Sequence, residues 1–239
     1  GQGDADGHKL ESAHMSLVLL ACFLPALSAI QLPHLRFLSS STARLPPPRA
    51  VADAAALSED AARQASFEEA QELGAKLATI LSASCAAGEP MPEEAVPVLR
   101  ALVSSTSGSR GWFVSLLTDP DFEPIFQPPL DDAMLDAICE SPEPNVKLMT
   151  MNVAMSTATE LTHLERGSED MAAASRMTAR RSTALMVALL DRLPGLRESA
   201  EALLTAVDPN AEAADADWLK FCKKWGYGAT QREAIRKRL

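Results

Sequence analysis

Five polar residues recur at helical spacing in a stretch of chain that is otherwise nearly free of charge. They are separated by seven, four, three and four positions, so a helix would place them along one face: Asn145, Asn152, Ser156, Thr159 and His163. Amide, hydroxyl and imidazole groups on one face, joined by arginines from the next segment, could line a polar pocket for a small anionic or lipid-like ligand. The candidate ligand-pocket residues are Asn152, Ser156, Thr159, His163, Arg176 and Arg180.

A structural explanation accounts for the same polar stripe. Serine and threonine hydroxyls in buried helices donate to the carbonyl one turn earlier. Asn152 would then tie down a neighbouring loop, and the arginines would face solvent or pair with Glu160 and Glu165. The sequence favours this explanation because an isolated polar stripe is more often satisfied structure than chemistry.

The common catalytic and metal-binding motifs are missing from the sequence. It contains no glycine-rich phosphate loop, no HExxH and no GxSxG. His163 is the one histidine after residue 52, so a Ser–His or Cys–His catalyst would have to use it. The four scattered cysteines include no CxxC pair, which argues against a disulfide framework and a zinc site. We therefore predict no catalytic residue, no metal and no cofactor, and an enzymatic role has no support.

A second candidate site lies in the C-terminal segment 218–239. Its aromatic residues Trp218, Phe221 and Trp225 share one helical face, and three lysines lie off that face. A basic, aromatic end on an acidic protein could contact anionic lipid, ribosomal RNA or an acidic partner. Alternatively, the aromatic side chains pack on the protein's own bundle and the lysines remain in solvent. The candidate partner-surface residues are Trp218, Lys220, Lys223, Lys224, Trp225, Arg232 and Arg236.

The charge balance limits the kinds of partner. The net charge is −10, and it belongs to the chain after residue 52, because the first 52 residues hold four basic and three acidic side chains. An acidic body disfavours broad nucleic-acid binding, so we expect no specific nucleic-acid partner. No stretch after the leader is long and apolar enough to span a bilayer. We expect a protein partner, with peripheral membrane contact as an alternative.

The segment 145–193 predicts the helical hairpin that would position the polar stripe. The uncharged run 148–159 is apolar on most sides of a helix, which is typical of a helix inside a bundle. Gly167 supplies a left-handed stop and Ser168 a cap for the next helix, which should run to about Leu193. A turn this short makes the two helices antiparallel neighbours.

The composition predicts an all-α fold. Alanine, leucine and methionine are abundant, aromatic residues make up only 5%, and no run alternates polar and apolar residues over a strand length. We expect one helical bundle of about six to eight helices around the central antiparallel hairpin. The predicted division is a disordered presequence 1–52, a linker 53–65, a bundle 66–210 and amphipathic, basic C-terminal helices 211–239 docked on the bundle.

Three local patterns refine this expectation. Ser66 and Glu69 have capping-box spacing and should open a helix of the bundle. The proline-rich, apolar stretch Asp119–Pro129 cannot form a regular α-helix and should pack as a loop across the bundle. The prolines Pro142 and Pro144 are expected to end the helix that follows this loop.

The N-terminal segment has the composition of a two-part targeting sequence. The residues 15–29 form a short apolar run followed by small residues, as in a secretory signal peptide. The residues 30–52 are rich in arginine and serine and contain no acid, as in a transit peptide. Such a bipartite presequence indicates delivery to the chloroplast stroma of an alga with a complex plastid. The alternative is a plain secretory signal with a proline-rich linker, hence a secreted or endomembrane protein.

Several segments resemble a helical family of cyanobacteria and plastids. They are GWFVSLLTD at 111–119, NVAMSTA at 152–158, KKWGY at 223–227 and QREAI at 231–235. The resemblance spans about residues 70–239 and implies an all-helical plastid protein without an assigned catalytic residue. It agrees with a non-enzymatic accessory protein that assembles or regulates a plastid complex. The alternative function is a carrier or enzyme for a small anionic or lipid-like ligand bound within 145–193.

Overall fold

The computed structural model describes residues 57–211 and 214–239, and all regular secondary structure in these ranges is helical. The α-helices are α1 (Glu59–Gln64), α2 (Phe67–Ala87), α3 (Val96–Leu102), α4 (Thr106–Thr118), α5 (Asp132–Cys139), α6 (Pro142–Glu165), α7 (Glu169–Leu189), α8 (Leu196–Val207), α9 (Ala216–Lys224) and α10 (Ala229–Arg238). A 3-10 helix spans Pro120–Phe126. The all-α prediction is confirmed, although the described ranges contain more helices than six to eight because several are short. The predicted presequence 1–52 lies outside the described residues.

Helix α1 lies within the segment that we expected to be a linker. Its cap is Ser58, whose hydroxyl accepts a hydrogen bond from the Ala61 amide at 3.3 Å. Ala62 is fully buried, and the helix packs against α3. The residues 59–64 are therefore part of the folded body.

Helices α2 and α4 cross at close range in the first half of the bundle. The predicted capping box at the start of α2 is confirmed, because the Ser66 amide donates to Glu69 Oε2 at 2.9 Å and the Ser66 hydroxyl accepts from the Glu69 amide at 3.3 Å. The crossing brings Gly111 of α4 against the backbone of Ala70 in α2. Ser115 of α4 adds a hydrogen bond of 2.8 Å to the Gln71 carbonyl oxygen.

The proline-rich stretch after α4 packs across the bundle, as predicted. It forms the 3-10 helix rather than an α-helix, with non-helical backbone angles at Phe122 (φ −91°, ψ 16°). Phe122, Ile125 and Phe126 are buried, and the segment lies mainly against α2. Its apolar side chains thereby close one side of the core.

The central hairpin consists of α6 and α7, which make the most extensive helix–helix contact among the described elements. Helix α6 begins at Pro142, earlier than predicted, because a proline in the first turn needs no hydrogen bond for its missing amide proton. Gly167 has a φ of 69°, and the Ser168 amide donates to the His163 carbonyl oxygen at 2.9 Å, which completes the turn. Helix α7 ends at Leu189, slightly before the predicted end.

Two buried clusters meet on α6. The first cluster contains the apolar side chains of α1 to α5 and the 3-10 helix, together with Met149 and Val153 of α6 and the end of α7. The second cluster packs Ala154, Met155 and Ala158 of α6 against α8, α9 and α10. Helix α6 therefore joins the two clusters, together with α8, which places Leu196 in the first cluster and Leu203 in the second.

The helices of residues 57–211 and 214–239 include no candidate for a membrane span. None of them combines the length and the apolar composition that a membrane crossing requires.

Candidate functional site

The polar stripe of α6 lies largely inside the protein. Asn152, Ser156 and His163 are buried, and Thr159 is half-buried. The Ser156 hydroxyl donates to the Asn152 carbonyl oxygen at 2.5 Å, and Thr157 does the same to Val153 at 2.7 Å. These hydroxyls are thus satisfied within their own helix, as the structural explanation of the stripe expects.

The two candidate arginines bind elsewhere. Arg176 Nε lies 2.6 Å from Glu160 Oε1, and Arg180 Nη2 lies 2.7 Å from both carboxylate oxygens of Glu123. Among the described residues, no hydrogen bond or ion pair connects either arginine to the stripe. The structure therefore brings the stripe residues together along α6 but directs the arginines to two different carboxylates.

Asn145, and not Asn152, ties neighbouring loops to the hairpin. Its fully buried Nδ2 group donates to the carbonyl oxygens of Ser141 at 2.7 Å, Val103 at 3.1 Å and Ile138 at 3.3 Å. These oxygens lie at or next to the ends of α3, α5 and α6, where helices leave carbonyl or amide groups unpaired. Three surrounding acceptors also determine that the amide nitrogen faces them. Asn145 is therefore a structural hub at the start of the central helix.

Arg181 is a buried charge that was not among the candidate site residues. Its side chain is completely inaccessible and donates from Nη1 to the Asp119 carbonyl oxygen at 2.6 Å and from Nη2 to Glu123 Oε2 at 3.0 Å. It also contacts the carbonyl oxygens of Leu117 and Pro120, and its guanidinium lies 4.9 Å from the centre of the Phe126 ring. Arg181 thereby joins α7 to the end of α4 and to the 3-10 helix.

Glu123 completes this cluster from the 3-10 helix. Its hydrogen bond with Arg180, supplemented by Arg181, lowers the pKa of the Glu123 carboxyl below its ordinary value. The one sequence signal for the cluster is the position of Arg181, which lies one helical turn before the buried Leu185. No ligand is needed to explain the pair of arginines, because one carboxylate and three carbonyl oxygens satisfy them.

The C-terminal candidate surface separates into a docked aromatic side and an exposed basic side. Trp218 is buried and meets Phe221 edge to face at 5.3 Å between ring centres, and Phe221 meets Tyr227 at 5.7 Å. Trp225 is half-buried, with the Lys224 ammonium 5.5 Å from the centre of its ring. The exposed members of the set are Lys220, Lys223, Lys224 and Arg236.

The other charged members of this surface bind groups within the C-terminal segment itself. Arg232 Nε donates to the Tyr227 carbonyl oxygen at 3.0 Å, and Arg236 pairs with Glu233 at 2.8 Å. Lys220 lies 3.7 Å from Asp217, a separation typical of a solvated ion pair. Lys223 and Lys224 have no carboxylate within ion-pair distance in the part of the chain that the structure describes. The three lysines of α9 thus project into solvent, as do Arg236 and Lys237 of α10.

The described ranges contain little support for a nucleophilic residue or a metal site. Burial raises the pKa of the Cys85, Cys139 and Cys222 thiols, which disfavours the reactive thiolate. His163 makes no side-chain hydrogen bond to a serine or cysteine within 57–211 and 214–239. No group of three or more histidine, cysteine or acidic side chains in these ranges is arranged to hold a metal ion.

A shallow groove of about 400 Å³ lies between α6 and α10, and we call it the α6–α10 groove. It is lined by Thr157, Glu160, Leu161, Ala234, Lys237 and Arg238. None of the candidate pocket residues from the stripe lines it, although Glu160 is the carboxylate that binds Arg176. The sequence did not indicate this groove because its two walls lie more than seventy positions apart.

The pKa of His163 gives the site a testable pH dependence. Burial lowers this pKa below its ordinary value, and the positive charge of Arg166 lowers it further. The unfolded chain therefore takes up a proton at higher pH than the folded protein. We expect the free energy of unfolding to fall as the pH drops below about 6.5, the ordinary histidine pKa. Chemical denaturation at pH 7 and at pH 5.5 measures the change.

The variant His163→Gln provides the control for this prediction. It removes the titrating group and keeps the three histidines at 8, 14 and 34 unchanged. The difference in unfolding free energy between the two pH values should be smaller in the variant. An equal difference in both proteins would show that His163 does not contribute.

No curated protein and no solved structure matches this chain. A family model described as "Uncharacterised conserved protein UCP020893" matches residues 66–239, from the cap of α2 to the last residue of the sequence. The match includes every segment on which the sequence resemblance was based and leaves out α1. The chain therefore belongs to the family Uncharacterised conserved protein UCP020893.

Proposed function

We propose that this protein is a non-enzymatic accessory protein of plastids that binds an acidic protein partner through the lysines of α9. The observation that carries the proposal is the orientation of α9. Its aromatic side is used up in packing against the bundle, which leaves Lys220, Lys223 and Lys224 on the outward side. Lysines that have no packing role and little pairing are free to meet a partner.

The distribution of charge supports an acidic partner. Residues 214–239 hold seven basic and three acidic side chains, whereas residues 57–211 hold eleven basic and twenty-four acidic ones. A basic patch on an acidic protein orients the approach of an oppositely charged surface and rejects like-charged ones. Leu219, whose exposed fraction is 41%, and the half-buried Trp225 add an apolar border of the kind found in protein interfaces.

The other parts of the proposal have separate support. The plastid location is inferred from the signal-like residues 15–29 and the acid-free, arginine- and serine-rich residues 30–52. A non-enzymatic role is inferred from the satisfied state of the polar stripe and from the raised pKa of the thiols. Family membership of residues 66–239 adds the helical body but no reaction.

The experiment compares two charge-reversal variants. Lys223→Glu/Lys224→Glu changes the α9 lysines, and Lys76→Glu/Arg166→Glu makes the same change in net charge at two exposed positions of the body. Tagged proteins are purified from plastids of the source organism, co-purifying proteins are identified by mass spectrometry, and the affinity for the purified partner is measured. We expect the α9 variant to bind at least ~10-fold more weakly, because it places like charges against an acidic surface.

Two results would oppose the proposal. Equal affinity of the α9 variant and the control variant would show that the lysines are not part of the interface. Absence of the tagged protein from the plastid fraction would show that the protein is not located in plastids. Higher ionic strength should also weaken binding of the unmodified protein and of the control variant, since exposed charges are screened by salt.

A further inference from the structure

The α6–α10 groove combines apolar and basic groups in one concave surface. Leu161 and Ala234 supply its apolar lining, and Lys237 and Arg238 supply its positive charge. Its volume of about 400 Å³ lies within the range of small-molecule sites in proteins. Two helices from distant parts of the sequence form it, so its shape depends on the docked position of α10.

The guanidinium N–H groups of Arg238 have no close hydrogen-bond acceptor within the described ranges. Arg238 Nη2 lies 3.6 Å from Glu160 Oε2, which is too long for a hydrogen bond. Within the described ranges, the side chain of Arg238 makes no hydrogen bond to any other group. Only 30% of this side chain is exposed, so part of its desolvation is not offset by a close partner.

Glu160 does not neutralise the groove. Its other carboxylate oxygen accepts the 2.6 Å bond from Arg176, so its charge is shared with a cation outside the lining. Lys237 is 71% exposed and lies 3.4 Å from Glu233, which in turn binds Arg236 at 2.8 Å. Among the lining residues, the positive charges of Lys237 and Arg238 outnumber the one negative charge of Glu160, which leaves the groove positive.

We propose that the α6–α10 groove binds an anionic amphiphile, a carboxylate or phosphate carried on a small apolar body. The anionic group would meet Arg238 and Lys237, since a guanidinium fork binds planar carboxylates and phosphates in a two-point arrangement. The apolar body would cover Leu161 and Ala234. This inference is independent of the proposed partner surface on α9, and its site does not include the polar stripe.

The test uses octanoate as the probe. Inorganic phosphate serves as an anion without an apolar body, and octanol serves as an apolar body without a charge. Isothermal titration measures the dissociation constant of each probe for the full chain, below the concentration at which octanoate forms micelles. We expect octanoate to bind more tightly than either phosphate or octanol, because only octanoate has both the charge and the apolar body.

Matched arginine variants locate the bound probe. Arg238→Gln removes the groove arginine, and Arg236→Gln removes an arginine of the same helix that does not line the groove. We expect the dissociation constant of octanoate to rise at least ~10-fold in Arg238→Gln, in line with the strength of charge-assisted hydrogen bonds. It should not change in Arg236→Gln. Circular dichroism of both variants confirms that α10 is folded, and Lys237→Gln provides a second groove variant at a more exposed position.

Three results would overturn the proposal. Equal binding of octanoate to both arginine variants would place the probe elsewhere. Octanol binding as tightly as octanoate would show that charge has no role, and phosphate binding as tightly would show that the apolar lining has none. An absence of octanoate binding to the unmodified protein would reject the site altogether.

Discussion

Replacing Arg181 by methionine is expected to lower the free energy of unfolding by about 3 kcal/mol. The variant keeps a side chain of similar length but removes the arginine donor from the carbonyl oxygens of Leu117, Asp119 and Pro120, and Asp119 retains a hydrogen bond of 3.3 Å from the Phe122 amide. Buried acceptors without a partner each cost about 1–3 kcal/mol. Denaturant titration followed by circular dichroism measures the loss, and hydrogen exchange should show the largest change in the 3-10 helix.

Arg180→Met is the matched control. It removes a neighbouring arginine that binds the same carboxylate, but the Arg180 side chain is 52% exposed, and within the described ranges its hydrogen bonds go to Glu123 alone. Exposed ion pairs contribute about 0–1 kcal/mol, so this variant should be nearly as stable as the unmodified protein. Similar losses in both variants would mean that the carbonyl contacts of Arg181 contribute little.

The second large effect is expected from Gly111→Ala in α4. An added Cβ atom would lie 2.5 Å from the Cβ atom of Ala70 and 2.7 Å from its carbonyl carbon. Overpacking of this kind costs about 1–3 kcal/mol, and here a backbone atom that cannot rotate away is involved. We expect a loss at the upper end of that range, even after the gain of about 1 kcal/mol from replacing a helical glycine. The thermal midpoint and the denaturant midpoint both report it.

Gly74→Ala tests the same helix crossing from α2. Its added Cβ atom would lie 3.1 Å from the Trp112 Cα atom, so a small displacement can accommodate it. The gain in helix propensity should then offset much of the packing cost, and the variant should be close to neutral. If Gly111→Ala is also neutral, the two helices are free to separate and the crossing is not a rigid contact.

Short-range patterns allowed the central hairpin to be predicted. The uncharged run 148–159 indicated a helix surrounded by others, and Met149 and Val153 are indeed completely buried. Gly167 marked the turn because few other residues adopt a positive φ without strain. The start of α6 was placed too late because Pro142 and Pro144 were interpreted as ends of the preceding helix, whereas both occupy the first turn of α6.

Long-range partners could not be predicted in the same way. Arg181 binds carbonyl oxygens about sixty positions earlier, and backbone acceptors carry no residue-specific signal in a sequence. Asn145 likewise donates to the carbonyl oxygens of Val103 and Ile138 in other segments, so its role was assigned to Asn152 instead. The α6–α10 groove depends on how a C-terminal helix is placed against the middle of the chain, which no local pattern determines.

The position of α6 between two clusters has a consequence for how the protein tolerates change. Each cluster packs against a different side of α6. A substitution that displaces α6 in one cluster therefore also moves the side chains that α6 contributes to the other cluster. Substitutions on α6 are therefore constrained from two directions at once, whereas those on α1 or α9 affect a single cluster. Divergence among members of the family should accumulate at the two ends of the fold before it reaches this shared helix.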